Sequence, residues 1–271
     1  MARAKGSAFL LAGGTDLLVR MELGLIEPDL VVDIKRIAAT QSITRTATGF
    51  RIGAAVPAVA MGRSAALKKA WPGVVEAANL IGSDQIQGRC TMVGNLCNAS
   101  PAADSVPALV AAAAKVAIVG PNGRRTLAVD KVVTGPGTTS LKKGEVVEAI
   151  TLPKRPPKSA DAYLRFIPRS EMDIAVVSAG VSLTLGPRGV VKQARVTLGA
   201  VAPTVLLVPA AAKAIIGTKL DADALANLAA ACEAACDPID DKRGTIEFRI
   251  DVAGVLARRA AKIAYQRAGG K

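Results

Sequence analysis

A proline-rich segment divides this sequence into two parts whose hydrophobic patterns differ. The segment PKRPPKSAD (153–161) contains three prolines and three cations, a composition typical of an exposed linker between domains. Before it, short β-type runs such as AFLL (8–11) and KVAIVG (115–120) are mixed with helical stretches, whereas long β-type runs and then helices follow it. The pattern predicts an α+β fold with domains at residues 1–155 and 156–271.

Several helices and strands can be placed from the spacing of apolar residues and from the positions of glycine and proline. We predict helices at residues 15–23, at 58–80 with a break at Pro72 and Gly73, and at 108–114. The runs at 173–186 and 190–201 predict an antiparallel hairpin, and a long helix should end the chain at 245–267. The apolar face of that last helix is predicted to pack on the preceding sheet, through Val252, Val255, Leu256, Ala260 and Ile263.

Composition excludes several kinds of reactive site. The chain has 271 residues, 51% of them hydrophobic, so it can bury a core and is not expected to be disordered. It contains no histidine, which excludes Ser-His and Cys-His nucleophile pairs and every metal site that needs an imidazole ligand. No closely spaced CxxC pair occurs, so we predict no metal site within this chain; its four cysteines are Cys90, Cys97, Cys232 and Cys236.

The chain is strongly basic, with a formal net charge of +13. This charge suits an anionic ligand, an acidic partner or a nucleic acid. Nucleic-acid binding would need cations clustered with stacking aromatic rings, but aromatic residues make up 3% of the chain and the cations are dispersed. No run of about 18 apolar residues and no secretory signal pattern is present. We therefore predict a cytoplasmic protein with no nucleic-acid partner and no membrane span.

The stretch FLLAGGTDLLVRM (9–21) joins an apolar strand to an apolar-periodic helix through two glycines. Gly13 and Gly14 let backbone N–H groups approach a ligand without a Cβ between them, and the helix opened by Thr15 and Asp16 adds unpaired donors. Such a turn is typical of anion sites, although glycines and a cap also occur at purely structural turns. Neither GxGxxG nor GxxxxGK[ST] is present, so Rossmann and P-loop sites are not supported.

A second stretch, IGSDQIQGRCTMVGNLCNASPAADSVPALV (81–110), is rich in glycine, asparagine, serine and aspartate. Backbone donors near residues 93–95 could bind an anion, and Asp104 could accept hydrogen bonds from ribose hydroxyls. The alternative is that Ser100, Asp104 and Ser105 only cap short helical turns next to prolines. Residue pattern alone leaves both interpretations open.

Taken together, LAGGTDLL and TMVGNLCNASPAADSVPAL resemble the FAD-binding, or medium, subunit of the molybdenum hydroxylases, the xanthine dehydrogenase and carbon monoxide dehydrogenase family. The resemblance extends to RSEMDIAVVSAG (169–180), LGAVAPT (198–204) and DDKRGTIEFR (240–249). It implies an FAD-binding domain of the vanillyl-alcohol oxidase (PCMH) type in two subdomains. A C-terminal domain of the CO dehydrogenase flavoprotein type, with a three-stranded antiparallel sheet and helices, is expected to follow.

The resemblance also implies which residues contact FAD. Two turns hold the pyrophosphate, Asp104 contacts the adenosine side, Val147 and Arg165 approach the flavin, and Asp173 lies near its ring. Several relatives carry lysine at the position of Arg165. Relatives also carry a further strand and helix before the first motif, so either this subunit lacks that layer or the sequence starts inside a longer chain. The residues expected in the two turns are Ala12, Gly13, Gly14, Thr15, Asp16 and Leu17, then Thr91, Val93, Gly94 and Asn95.

The function implied is electron transfer within a larger enzyme. A small subunit would carry two [2Fe-2S] clusters and a large subunit the molybdenum cofactor, in a heterotrimer or its dimer. This chain would take electrons from the clusters and pass them to NAD or another acceptor, and no side chain is expected to act as a catalytic acid or base. Two alternatives stay open: a self-contained flavin oxidoreductase of the same fold, and a polyanion-binding module without flavin.

Overall fold

The first part of the chain is built around a five-stranded antiparallel sheet and a separate parallel pair of strands. The computed structural model describes Met1 and residues 3–270. The sheet has the order β3-β4-β9-β5-β6, β1 pairs with β2, and β7 pairs with β8. These strands are β1 (Ala8–Leu11), β2 (Leu30–Asp33), β3 (Ile43–Thr46), β4 (Gly49–Gly53), β5 (Lys115–Gly120), β6 (Gly123–Ala128), β7 (Val133–Gly135), β8 (Thr138–Thr139) and β9 (Val146–Pro153).

Short helices cover this sheet and enclose the first hydrophobic core. The predicted helix at 58–80 is broken at Trp71–Pro72 as expected and also at Ser64, whose hydroxyl caps the next helix through the Leu67 N–H at 3.4 Å. The helix predicted at 108–114 instead begins at Ser105. The helices are α1 (Leu17–Glu22), α2 (Ala58–Arg63), α3 (Ala65–Ala70), α4 (Pro72–Ala78), α5 (Asp84–Gln87), α6 (Met92–Cys97) and α7 (Ser105–Ala111).

The second part is an antiparallel sheet of order β10-β11-β12-β13 with helices on it. The predicted hairpin is confirmed as β11 and β12, but the sheet has a fourth strand beyond the expected three, because Leu206 and Leu207 pair with the end of β12. No described helix is both long and apolar enough to cross a membrane. The elements are β10 (Ser159–Phe166), β11 (Val177–Leu185), β12 (Val191–Gly199), β13 (Leu206–Leu207), α8 (Pro209–Ile215), α9 (Ala222–Glu233) and α10 (Ile246–Arg267).

Helix α10 packs on the second sheet through a face centred on alanines. Leu256 and Ala260 are buried as predicted, but Val252, Val255 and Ile263 are only partly buried. Small side chains let the helix backbone approach the sheet closely, so the stripe of alanines is innermost and the larger residues lie at its borders. The innermost residues include Ala253, Ala257, Ala261 and Ala264.

The segment predicted to be an exposed linker is packed at its centre. Lys154 and Lys158 are exposed, but the guanidinium carbon of Arg155 lies 3.9 Å from the Trp71 ring centroid and its Nη2 lies 2.7 Å from Asp161 Oδ1. Cation–π stacking and the ion pair only partly offset the removal of these charges from water, because burial still lowers the pKa of Arg155 and raises that of Asp161. The prediction of exposure was therefore wrong for Arg155. Strand β10 begins within this segment, at Ser159, and presents Tyr163 to the first core and Ala162 to the second.

Arg249 should be a major contributor to stability. Its side chain is 5% exposed and donates to the carbonyl oxygens of Val176 at 2.6 Å and Ala200 at 3.3 Å, and to Asp241 Oδ1 at 2.7 Å. Replacement by alanine leaves these buried acceptors unpaired, so we expect Arg249→Ala to lower the free energy of unfolding by about 2–4 kcal/mol. Urea unfolding measures the loss. Arg258→Ala, at an exposed position of the same helix, should change stability little; equal losses would contradict the assignment.

Candidate functional site

The first glycine turn connects β1 to α1 and has a conformation that needs glycine. Gly14 has φ +83°, in the left-handed region that side chains with a Cβ disfavour. Lys35 holds the start of the turn, since its Nζ donates to the Ala12 carbonyl oxygen at 3.0 Å and also contacts Asp33 Oδ1 at 2.9 Å. The turn is therefore fixed relative to the end of β2.

The second turn leads into α6 and is stabilised by its own cap. The Thr91 hydroxyl accepts a hydrogen bond from the Gly94 N–H at 2.9 Å, and the Thr91 carbonyl accepts one from the Asn95 N–H at 2.9 Å. Thr91 is buried and bridges to Pro57 at the start of α2. This turn is therefore fixed to the helical layer of the first core.

The two turns contact each other closely. A Cβ on Gly13 would lie 2.1 Å from the Arg89 carbonyl oxygen, so only glycine permits this approach. Across the same junction, the Asn98 amide donates to Asp16 Oδ1 at 3.0 Å. Two segments that are distant in the sequence thus form one rim.

A cavity of about 470 Å³ opens between the turns. In the part of the chain that the structure describes, Gly13, Gly14 and Thr15 line this cavity, and their backbone N–H groups donate to no protein acceptor. Unpaired, converging N–H groups are the usual means by which a protein binds an anion. Besides the two turns, its wall includes residues next to β2, after α4, beside the second turn and near β9, namely Ile34, Ile81, Cys90, Cys97, Thr139, Leu141, Val146 and Val147.

Charges around the cavity are largely balanced. Glu145 lines it but is paired with Arg125 through two contacts of 2.7 Å, and this hydrogen bonding lowers the pKa of Glu145 to about 2. Burial raises the pKa of Cys90 to about 11 and that of Cys97 to about 12, so both thiols are neutral and poorly nucleophilic near neutral pH. The cavity therefore provides binding groups, and its thiols are not suited to nucleophilic catalysis.

Most residues predicted for the site lie together in this cavity. The structure places there Ala12, Gly13, Gly14, Thr15, Asp16, Leu17, Thr91, Val93, Gly94, Asn95 and Val147. Sequence reasoning missed Arg20 and Asn98, which also line it. The spacing of Arg20 four residues after Asp16, on the same helix face, could have indicated the first of these.

Three predicted residues lie outside the cavity wall. Asp104 is buried and pairs with Arg165 across 2.8 Å, with the Tyr163 hydroxyl 3.4 Å away. Burial raises the pKa of Asp104 to about 6, although Arg165 opposes this shift. Asp173 instead contacts Arg169 at 3.0 Å and Arg243 at 3.5 Å.

Comparison with known proteins identifies the family. The model of the FAD-binding domain in molybdopterin dehydrogenase matches residues 1–155, and that of the CO dehydrogenase flavoprotein C-terminal domain matches residues 162–264. The chain belongs to this family of FAD-binding subunits. The predicted family and the predicted mixture of helices and sheets are thereby confirmed.

Individual relatives match over nearly the full chain. The carbon monoxide dehydrogenase medium chain of Afipia carboxidovorans is 34% identical over 95% of this chain and 89% of its own length. The putative xanthine dehydrogenase FAD-binding subunit of Escherichia coli K12 is 29% identical, covering 97% and 91%. A solved CO dehydrogenase from Oligotropha carboxidovorans superposes with a TM-score of 0.92 at 33% identity, over 97% of this chain and 91% of the solved one.

The residues present fit the FAD expected in this family. The pyrophosphate of FAD is an anion, and the first turn lines the cavity with residues whose backbone N–H groups have no protein acceptor among the described residues. Glu145 does not oppose an anion because Arg125 neutralises it. Apolar walls from Ile34, Ile81 and Val147 suit a flat ring system.

Gly13→Ala should reduce flavin binding by separating the turns. The added Cβ would meet the backbone of Arg89, which cannot move aside as a flexible side chain would. We expect the purified variant to retain its secondary structure by circular dichroism but to carry much less flavin than the parent chain, as measured by visible absorption. Gly186→Ala is the matched control, since its Cβ would have no neighbour closer than 3.6 Å. Full flavin content in Gly13→Ala would show that the close approach is not required.

Proposed function

We propose that this chain holds FAD with its pyrophosphate between the two glycine turns and transfers electrons within a molybdenum-containing hydroxylase. The observation that carries the proposal is the cavity where both turns converge, with three unpaired backbone N–H groups from Gly13, Gly14 and Thr15 on its wall. These groups would bind the pyrophosphate as fixed dipoles that need no rearrangement.

The other residues predicted to contact FAD are assigned from the same placement of the pyrophosphate between the turns. Leu17, Thr91, Val93, Gly94 and Asn95 would surround the pyrophosphate and the groups next to it, and Val147 would contact the flavin. The roles of Asp104, Arg165 and Asp173 beside the adenosine or the ring stay predictions, since Asp104 and Arg165 pair with each other and Asp173 pairs with Arg169. FAD supplies the electron chemistry when it is bound, while the chain supplies position and electrostatics.

Electrons would enter from another chain. Within the described residues, no group of histidine, cysteine, aspartate and glutamate side chains is arranged to hold a metal ion. We therefore place two [2Fe-2S] clusters on a small partner subunit and the molybdenum cofactor on a large one, in a heterotrimer or its dimer. NAD, or another carrier, would be the acceptor, and a cytoplasmic location stays a prediction.

The domain arrangement is part of the proposal. Residues 1–155 would form an FAD-binding domain of the PCMH type in two subdomains, and residues 156–271 the C-terminal domain. Separate hydrophobic cores support this division: Leu109 and Ile150 belong to the first, and Val181 and Leu228 to the second. Strand β10 contributes to both, through Tyr163 and Ala162.

Purification of the native complex tests the proposed function. We expect three kinds of chain, with flavin, iron and molybdenum, and bleaching of the flavin absorption when a substrate of the large subunit is added. A lone chain that oxidises an organic substrate would favour the self-contained flavin oxidoreductase instead. A colourless chain with strongly salt-dependent binding to polyanions would favour the module without flavin.

The diphosphate should dominate recognition by the isolated chain. We expect ADP to compete with FAD, whereas adenosine and riboflavin, which lack the diphosphate, should compete at least about tenfold less well if two charge-assisted hydrogen bonds are lost. Equilibrium dialysis at fixed ionic strength, with bound FAD separated from riboflavin by chromatography, measures this competition. Adenosine competing as well as ADP would contradict the placement of the diphosphate between the turns.

A further inference from the structure

One side chain of the second turn is oriented from outside the cavity. Asn95 lines the cavity, and its Oδ1 accepts hydrogen bonds from both the backbone N–H of Ser105, at 3.1 Å, and the Ser105 hydroxyl, at 2.7 Å. Because a backbone N–H can only donate, the atom that faces Ser105 must be the amide oxygen. The amide nitrogen is therefore on the other side of the group, and its two N–H donors meet no acceptor among the described residues.

Ser105 is well placed to impose this orientation because it cannot move. It is fully buried and is the first residue of α7. The residue before it, Asp104, pairs with Arg165 of β10 across 2.8 Å. Ser105 does not line the cavity, so it can act on a ligand only indirectly, and Asn95 is the cavity-lining residue whose side chain it contacts.

Helix α7 is also held by the second sheet. The Pro107 carbonyl accepts a hydrogen bond from the Thr197 hydroxyl at 2.8 Å. A Cβ on Gly180 would lie 2.9 Å from the Pro107 carbonyl oxygen, and one on Gly199 would lie 2.7 Å from the Pro107 ring. At Gly180 and Gly199 the helix thus packs directly on strand backbone, and together with the Thr197 bond this holds Ser105 relative to the second sheet.

We propose that Ser105 is a positioning residue that orients the Asn95 amide so that its nitrogen donates to an oxygen of the FAD diphosphate. The inference rests on the proposed function, because it takes the diphosphate to lie in this cavity. An amide free to rotate would spend part of its time with its oxygen toward the anion, where it would repel rather than bind. Fixing the amide before FAD arrives avoids that cost.

A double-mutant cycle on the full chain tests this. Ser105→Ala removes the hydroxyl bond, the shorter of the two that hold the Asn95 oxygen, but keeps the backbone N–H bond. It should therefore raise the Kd for FAD about twofold to fivefold, up to the effect of one ordinary hydrogen bond. Asn95→Ala removes the donor itself and should raise the Kd about tenfold or more, as for a hydrogen bond to a charged group. In the Asn95→Ala background, Ser105→Ala should change the Kd no further, because the side chain that Ser105 orients is absent.

Two further variants keep the test decisive. Asn95→Asp retains the acceptor for Ser105 but replaces the nitrogen with a charged oxygen, so it should weaken FAD at least as much as Asn95→Ala. Ser64→Ala removes a serine hydroxyl that caps α3 away from the cavity wall; it should lower the melting temperature yet leave the Kd unchanged. Melting curves without FAD confirm that each variant folds.

The outcomes separate the two claims. An unchanged Kd in Ser105→Ala, an equal loss from Ser105→Ala in both backgrounds, or a normal Kd in Asn95→Asp would overturn the role of Ser105 while leaving the FAD site intact. Failure of the parent chain itself to bind FAD would overturn the proposed function, and the role of Ser105 would be lost with it.

Discussion

The site depends on the close approach of two backbone segments, at Gly13 and at Arg89. A single Cβ at Gly13 would fall 2.1 Å from a carbonyl oxygen, so the absence of a side chain allows the turns to share one rim. Their proximity places residues with free backbone N–H groups on the wall of a common cavity, where no flexible side chain has to be ordered before an anion binds. The bond between Asp16 and Asn98, 82 positions apart, spans the same junction.

The rest of the fold holds these two segments in fixed relative positions. Lys35 ties the first turn to β2, Thr91 ties the second to the helical layer, and α7 connects that layer to the second sheet. At the junction of the cores, Arg155 stacks on Trp71 and pairs with Asp161. Buried charges of this kind are costly unless they are paired, so they specify one relative arrangement of the elements that meet there.

Local signals predicted much of this structure. The sequence was sufficient to identify both glycine turns, the hairpin of β11 and β12 and the long terminal helix. These elements depend on strand periodicity, helix periodicity and glycine positions, which are all set by residues close together in the sequence. Predictions failed where a distant partner decides the outcome. Arg155 appeared to be exposed because nothing near it in the sequence reveals Trp71 as a stacking partner. The buried face of α10 was shifted because the sheet beneath it accepts alanines more closely than larger residues.

By itself, the sequence determined that this chain has two glycine turns suited to an anion and no histidine-based chemistry. It also showed a resemblance to a family whose members bind FAD. Only the tertiary structure decided that the turns meet, that Asp104 and Arg165 pair with each other, and that Ser105 fixes the amide of Asn95. The physical reason is that turn geometry is set by residues next to each other in the chain, whereas hydrogen-bond partners and the lining of a cavity are set by segments that only folding brings together.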